Sequence, residues 1–134
     1  MSGQTAVDLV SRFGDRVTHL VLCAPGIYSA TLRDIPFGDS SFKSLAFETP
    51  HIWQDSPALD VLAVFKGRIL LVLPGHDEEV PAGMADLIER TLRANPATRT
   101  LLLAEAGHLL DSWIARHPVD RQAVTDALCG PLRD

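Results

Sequence analysis

The amino-acid sequence predicts an α/β fold in which a three-stranded parallel sheet is flanked by helices. Three short runs of mainly aliphatic and β-branched residues, 17–23, 68–73 and 98–104, have the composition of buried strands. Segments with apolar residues at helical spacing lie between and around them. Strands joined by helical crossovers run parallel and become neighbours, and the helices then cover the sheet.

The composition is that of one ordinary globular domain, since the 134 residues are 46% hydrophobic and 22% charged. The 12 basic and 17 acidic residues give a formal charge of −5, and no cluster of Lys and Arg interrupts that balance. We therefore expect no nucleic-acid partner. The longest aliphatic run, residues 69–73, is far shorter than the roughly 20 residues that span a bilayer, so no membrane helix is expected.

The two cysteines and the N-terminus bear on the cellular compartment. Cys23 and Cys129 are far apart in sequence, which does not indicate a disulfide framework, and both are expected to be small buried side chains. No basic region followed by an apolar stretch opens the chain, so no secretory signal is predicted and a cytoplasmic location is expected. Neither a Gly-x-Gly-x-x-Gly motif after a strand nor a Walker motif is present, so no nucleotide cofactor is expected.

The chain begins with a predicted helix, residues 3–13, which leads into the first strand, residues 17–23. Four apolar residues at helical spacing form the expected buried face of this helix: Ala6, Leu9, Val10 and Phe13. The strand ends where Ala24 and Pro25 begin a loop.

Residues 27–55 are predicted to be a long loop, because they mix Gly, Pro, Ser and Asp with scattered aromatics and show no sustained period. Loops of this length are uncommon in compact domains unless they shape a site. A helix follows to about residue 65. Ser56 is placed to cap its first turn, and Pro57 occupies the first helical position, where its missing N–H is harmless.

The rest of the chain alternates strands and helices. The predicted elements are a strand at 68–73, a helix at 81–95, a strand at 98–104, and helices at 109–115 and 119–129. Pro74 and Gly75 are expected to end the first of these strands. Three parallel strands leave two open edges and a small core, so the chain has the character of part of a larger sheet.

A candidate acid–base pair lies at the ends of the second and third strands. Sites in open parallel sheets form beyond the carboxyl ends of the strands. Asp77 lies four residues past the predicted end of the second strand, and His108 four residues past that of the third. A carboxylate can orient an imidazole base when both side chains lie on adjacent loops at the same edge of the sheet. The positions of Asp77 and His108 after neighbouring strands predict this arrangement. Considered alone, Asp77 could equally be a surface carboxylate without a catalytic role. His108 alone could equally be a histidine that caps a helix or packs in the core.

A metal site is the other chemistry that these loops suggest. His76, Asp77 and Glu79 are of the residue types that bind metals. No second histidine cluster accompanies them, so no metal is predicted, and these side chains are better explained as solvated.

Four segments resemble the α/β-hydrolase family and are spread over most of the chain. Residues 1–6 resemble the segment after the nucleophilic serine of the elbow, usually Met-Gly-Gly-x-x-Ala. Residues 13–25 resemble the helix-to-strand passage that follows it. Residues 69–81 resemble the strand and the following loop that carry the catalytic acid in the family. Residues 106–108 resemble the Gly-His sequence in which the family has its catalytic base. The acid and the base stand in the family's order, which is Ser, then the acid, then His.

The resemblance implies that residues 1–134 form a single domain, the C-terminal portion of a hydrolase with a partial α/β-hydrolase fold. Residues 27–55 stand where the family has its cap. The implied activity is hydrolysis of a carboxylic ester or related acyl bond in a small-molecule substrate, by a Ser-His-Asp mechanism without a cofactor. The nucleophile would directly precede Met1, so the chain alone is expected to be inactive. Ser2 matches a Gly position of the family and is not the expected nucleophile.

The same resemblance implies roles for individual residues. His108 would be the base, Asp77 the acid that holds its ring, and the backbone N–H of Met1 an oxyanion donor. Glu78 is the alternative acid, because the family usually has Gly three residues before its acid and Gly75 stands three residues before Glu78.

A second class of function is a non-catalytic interaction module or pseudo-enzyme. In this interpretation the strand at 17–23 exposes a sheet edge that pairs with another chain or with its own copy. The partner would be the N-terminal half of the same protein or a homo-oligomer that covers the edge.

Overall fold

A computed structural model describes residues 2–36, 38–49 and 51–130, without the side chains of Ser2 and Phe47. Its sheet contains three parallel strands, β1 (His19–Cys23), β2 (Arg68–His76) and β3 (Thr98–Gly107), in the order β1-β2-β3. The predicted three-stranded parallel sheet is therefore confirmed. Its middle strand is β2, and β1 and β3 form the two edges.

Six α-helices accompany the sheet in the described residues. They are α1 (Ser2–Phe13), α2 (Ser40–Lys43), α3 (Pro57–Val64), α4 (Ala82–Leu92), α5 (Leu110–Arg116) and α6 (Pro118–Cys129). The predicted start of α3 is confirmed, since the hydroxyl of Ser56 accepts the N–H of Ala58 at 3.3 Å and Pro57 occupies the first turn.

The helices cover both faces of the sheet, as predicted. Helices α1, α3 and α4 pack on one face, here called the first face, where Leu22 and Leu71 are buried. The opposite, second face carries α5 and α6 over Leu70 and Val72. Side chains of a strand alternate between faces, so the near-continuous aliphatic run of β2 is what a strand covered on both sides requires.

The buried stripe of α1 differs from the predicted one. Val7 and Val10 face the core, whereas Leu9 is 48% exposed and Phe13 is exposed as well. The stripe is set by Gly3, at which a Cβ would lie 2.8 Å from the side chain of Pro25. This close approach turns the face containing Val7, one helical turn after Gly3, toward the sheet.

Both strands next to the candidate site are longer than predicted. β2 continues through Pro74 and Gly75 to His76, and β3 continues to Gly107. Pro74 does not end the strand, because the register between β2 and β3 becomes irregular between residues 74 and 76. At Gly75 the two backbones come so close that a Cβ would overlap the carbonyl oxygen of Ala104. Asp77 and His108 therefore follow their strands directly.

The segment 27–55, predicted to be a loop, contains short helical turns. Besides α2 these are 3-10 turns at Ala30–Leu32 and Ile52–Asp55 and a π-helical turn at Ser44–Glu48. Local capping supports them, since the carboxylate of Asp39 accepts the N–H of Ser41 at 2.9 Å at the start of α2. No long apolar period is needed for turns of this length, and so the sequence pattern did not reveal them.

The two cysteines are exposed, so the prediction that both are buried is wrong. Cys23 ends an edge strand, and Cys129 ends α6, a helix in which none of the residues is buried. No helix or strand of the described residues covers either cysteine side chain, and both are therefore exposed. In the part of the chain that the structure describes, no helix is both long and apolar enough to cross a membrane.

Candidate active site

Asp77 opens a tight turn between β2 and α4. One of its carboxylate oxygens accepts the backbone N–H of Glu79 at 2.8 Å and that of Val80 at 2.9 Å. This is the local pattern by which Asp stabilises turns. The buried side chain of Val80 fixes the far end of the turn in the core. The carboxylate of Asp77 is thereby held at the carboxyl end of the sheet.

His108 faces this carboxylate from the adjacent strand. Its Nδ1 lies 3.1 Å from one oxygen of Asp77 and 3.2 Å from the other. Buried Ala106 and Leu110 anchor the chain on either side of His108 in the core of the second face. The side chains are 13% exposed for Asp77 and 29% exposed for His108, so solvent screens the pair only in part.

The geometry defines what the imidazole can do. When the ring is neutral, the proton on Nδ1 is the one that Asp77 stabilises, which leaves the lone pair on Nε2. Among the described residues no group forms a hydrogen bond with this Nε2. A neutral, oriented imidazole with an accessible Nε2 can accept a proton from a hydroxyl or a water.

The other polar residues of the two loops have different surroundings. Glu78 is exposed, and it is Asp77, not Glu78, that bonds His108. His76 lies 4.0 Å from Glu105, and both side chains are largely exposed. Within the described ranges, no group of three or more His, Cys, Asp or Glu side chains is placed to hold a metal.

Glu79 instead joins the turn that Asp77 opens to the segment 27–55. Its carboxylate lies 2.6 Å from the Lys43 ammonium at the end of α2. The hydrogen bond from Lys43, followed by its charge, lowers the pKa of Glu79, and the same contact raises the pKa of Lys43. Sequence reasoning missed Lys43, because a lone lysine in a segment without periodicity carries no signal of a distant partner.

Of the two residues at the predicted elbow, one lies outside the described residues and the other is described by its backbone alone. Met1, the expected oxyanion donor, lies outside the described residues. The backbone of Ser2 begins α1, and its side chain is also outside the described part.

The segment 27–55 forms a cleft of about 450 Å³ against α1. Tyr28 and Phe42 line it and pack edge to face, with ring centroids 5.1 Å apart. Burial raises the pKa of Tyr28 to about 12. Trp53 is buried in the core, next to Gly83 of α4. Two further aromatics of the segment, the residue Phe37 and the side chain of Phe47, lie outside the described residues.

The fold, a parallel sheet covered on both faces by helices, is similar to that of a protein of known structure. Two crystal structures of the Pyrococcus furiosus esterase Pf2001 match it at 14% identity, with TM-scores of 0.55 and 0.59. The matches cover 90% and 93% of this chain but 46% and 48% of the esterase chain, so this chain spans about half the length of that protein. No protein-family model and no curated protein sequence matches. At this identity the likeness concerns the fold.

Proposed function

We propose that this chain supplies the acid and base of a serine hydrolase that cleaves a carboxylic ester or a related acyl bond in a small molecule. The observation that carries the proposal is the pairing of His108 Nδ1 with the carboxylate of Asp77 at 3.1 Å, at the carboxyl ends of adjacent parallel strands. The esterase-like fold supports it. The nucleophilic serine lies outside this chain, directly before Met1.

In this proposal His108 acts first as a base. Nε2 takes the proton of the serine hydroxyl while the serine oxygen bonds to the substrate carbonyl carbon. The backbone N–H of Met1 stabilises the resulting oxyanion. The intermediate then expels the alcohol, which receives the proton from His108, and a water repeats the sequence to release the acid. Asp77 keeps the ring in the required tautomer and stabilises the imidazolium.

The cleft between α1 and the segment 27–55 is the proposed site for an apolar part of the substrate. Tyr28, Leu32 and Phe42 give it a mainly apolar lining. Gln4 of α1 ties the segment to the helix, since its side-chain oxygen accepts the N–H of Tyr28 at 3.1 Å. Gln4 lies four residues, about one helical turn, after the proposed nucleophile position, which supports the assignment of this cleft to the substrate.

The proposal is tested by labelling with a fluorophosphonate. The chain as it exists should not react, whereas a chain extended upstream by a strand ending in Gly-x-Ser directly before Met1 should be labelled at that serine. Asp77→Asn in the extended chain should slow labelling by roughly three to four orders of magnitude, and His108→Ala should abolish it. Glu78→Gln is the matched control and should leave the rate unchanged.

Two results would overturn the proposal. One is stoichiometric labelling of the unextended chain at Ser2, which would place the nucleophile inside it. The other is labelling of the extended chain that survives His108→Ala, which would show that this histidine is not the base.

A further inference from the structure

The outer side of β3 carries backbone groups that no described strand pairs with. β3 keeps a regular parallel register with β2 up to Leu103. The N–H of Ile69 in β2 bonds the carbonyl of Ala97 at 3.1 Å, and backbone groups in a parallel ladder alternate in direction along the strand. The N–H and C=O groups of Thr100 and Leu102 therefore point away from β2, toward the open edge of the sheet.

The middle of this edge strand is apolar, and one of its leucines is exposed. Leu102 stands beside Leu73 of β2 on the first face and is 61% exposed. Its neighbours Leu101 and Leu103 pack instead in the core of the second face. A large apolar side chain at the centre of an open edge is a position that a further strand can cover.

Two charges of opposite sign lie at equal distances from Leu102. Arg99 precedes it by three residues and Glu105 follows it by three, and both are exposed. Within the described part of the chain, Arg99 forms no ion pair, and its guanidinium donates to the carbonyl of Ala127 at 3.4 Å. Glu105 lies 4.0 Å from His76. Charges at a sheet edge ordinarily keep other strands away, so their arrangement decides which strand can bind.

Antiparallel pairing of β3 with its own copy matches these charges. When Leu102 stands opposite the partner's Leu102, the two residues exchange both backbone hydrogen bonds, as their outward groups require. Arg99 of each copy then stands opposite the partner's Glu105, in a pair whose side chains approach closely. An axis shifted by one residue would oppose Arg99 to Leu103 or Gly107 instead. A parallel copy in register would oppose it to another Arg99.

We propose that β3 binds the β3 strand of a second copy of this chain, antiparallel, about a two-fold axis beside Leu102. The two sheets join into one, and two ion pairs between Arg99 and Glu105 flank the contact between the Leu102 side chains. Both copies use the same surface, so the assembly closes as a dimer. The proposal uses no residue of the acid–base pair and stands or falls independently of the proposed function.

Sedimentation equilibrium of charge-reversal variants tests the pairing. The chain should be a dimer that dissociates on dilution. Arg99→Glu and Glu105→Arg should each raise the dissociation constant by roughly tenfold or more, because each turns two attractive pairs into repulsive ones. Together in one chain they should restore it to within about threefold, because both pairs form again with exchanged signs. Arg12→Glu, the same charge change on α1, is the matched control and should have no effect.

Disulfide cross-linking tests the position of the axis. The background carries Cys23→Ser and Cys129→Ser, because both cysteines are exposed. In it, Leu102→Cys should cross-link two copies on mild oxidation, since opposed residues that exchange hydrogen bonds have Cα atoms about 5.5 Å apart, within reach of a disulfide. Val21→Cys, at an exposed position of the other edge strand, is the matched control and should not cross-link.

Four results would overturn the proposal. One is a monomer at every concentration, and another is a dimer that neither charge reversal weakens or that the combined reversal does not restore. Cross-linking through Val21→Cys instead of Leu102→Cys would place the contact at β1. Cross-linking only in a mixture of these two variants would show that the two edges pair head to tail.

Discussion

Asp77 and Glu78 are adjacent carboxylates whose surroundings differ. The turn after β2 directs the N–H groups of Glu79 and Val80 at Asp77, whereas Glu78 is exposed. Sequence reasoning could narrow the acid to these two residues from the end of the strand. The sequence favoured Asp77 and left Glu78 as the alternative, because Gly75 stands three residues before Glu78. The choice depends on which carboxylate the turn orients toward the neighbouring strand.

The turn gives a stability prediction that does not depend on catalysis. Asp77→Ala should lower the free energy of unfolding by about 1–3 kcal/mol, because two backbone N–H groups and His108 lose their acceptor. Glu78→Ala should change it by less than about 0.5 kcal/mol, as expected for an exposed side chain. Urea unfolding of the two variants measures the difference. Equal effects would mean that Asp77 does not hold the turn.

The ion pair between Lys43 and Glu79 gives a prediction for pH. The pKa of Glu79 is lowered from 4.5, so its contribution to stability is present above that value and is lost as the pH falls through the lowered pKa. The pKa of Lys43 is raised from 10.5, so its contribution is present below that value and is lost as the pH rises through the raised pKa.

A double-mutant cycle with Lys43→Met and Glu79→Gln should therefore show favourable coupling at neutral pH that disappears at both extremes. The coupling should be small and should weaken with salt, because both side chains are exposed. Lys66→Met with Glu79→Gln is the control and should show none. Coupling that persists in strong acid would contradict the assignment.

Among the secondary-structure elements, the strands β2 and β3 end later in the structure than the sequence predicted, and this difference matters for the candidate site. Pro74 and Gly75 are turn residues in most settings, and the sequence accordingly predicted that β2 ends before them. In the structure they continue β2 through an irregular register, because Gly75 lets its backbone approach Ala104. How closely two strands approach depends on which residues of the neighbouring strand they face. The hydrophobic period of one strand carries no information about this.

The role of Gly75 is tested by substitution with alanine. Gly75→Ala should lower the free energy of unfolding by about 1–3 kcal/mol or more, since its Cβ overlaps a backbone carbonyl that cannot move alone. Gly38→Ala is the matched control: a Cβ there meets nothing within 4 Å, so it should be neutral or stabilise by up to about 1 kcal/mol. Thermal or urea unfolding of the two variants measures this difference in stability. A Gly75→Ala variant as stable as Gly38→Ala would contradict the register.

For the whole molecule, the fold class was predictable because strand and helix periods alternate along the chain and crossovers have one hand. The rim at which Asp77 and His108 meet followed from the same reasoning. The exposure of Leu9, Val21 and Leu128 did not, because hydrophobic patterning predicts burial and cannot tell which layer buries a residue. Val21 lies on the edge strand β1 and lines one shallow groove with Leu128 of α6, whereas Leu9 lies on α1.

The central claim is that Asp77 orients His108 as a base, and the tautomer of the neutral His108 ring tests it most directly. Long-range ¹H–¹⁵N NMR of the chain as it exists should find the proton on Nδ1. Asp77→Asn should shift the ring toward the Nε2–H tautomer, while Glu78→Gln leaves it unchanged. A proton on Nε2 in the unsubstituted chain, or a tautomer that responds to Glu78→Gln instead of Asp77→Asn, would contradict the account.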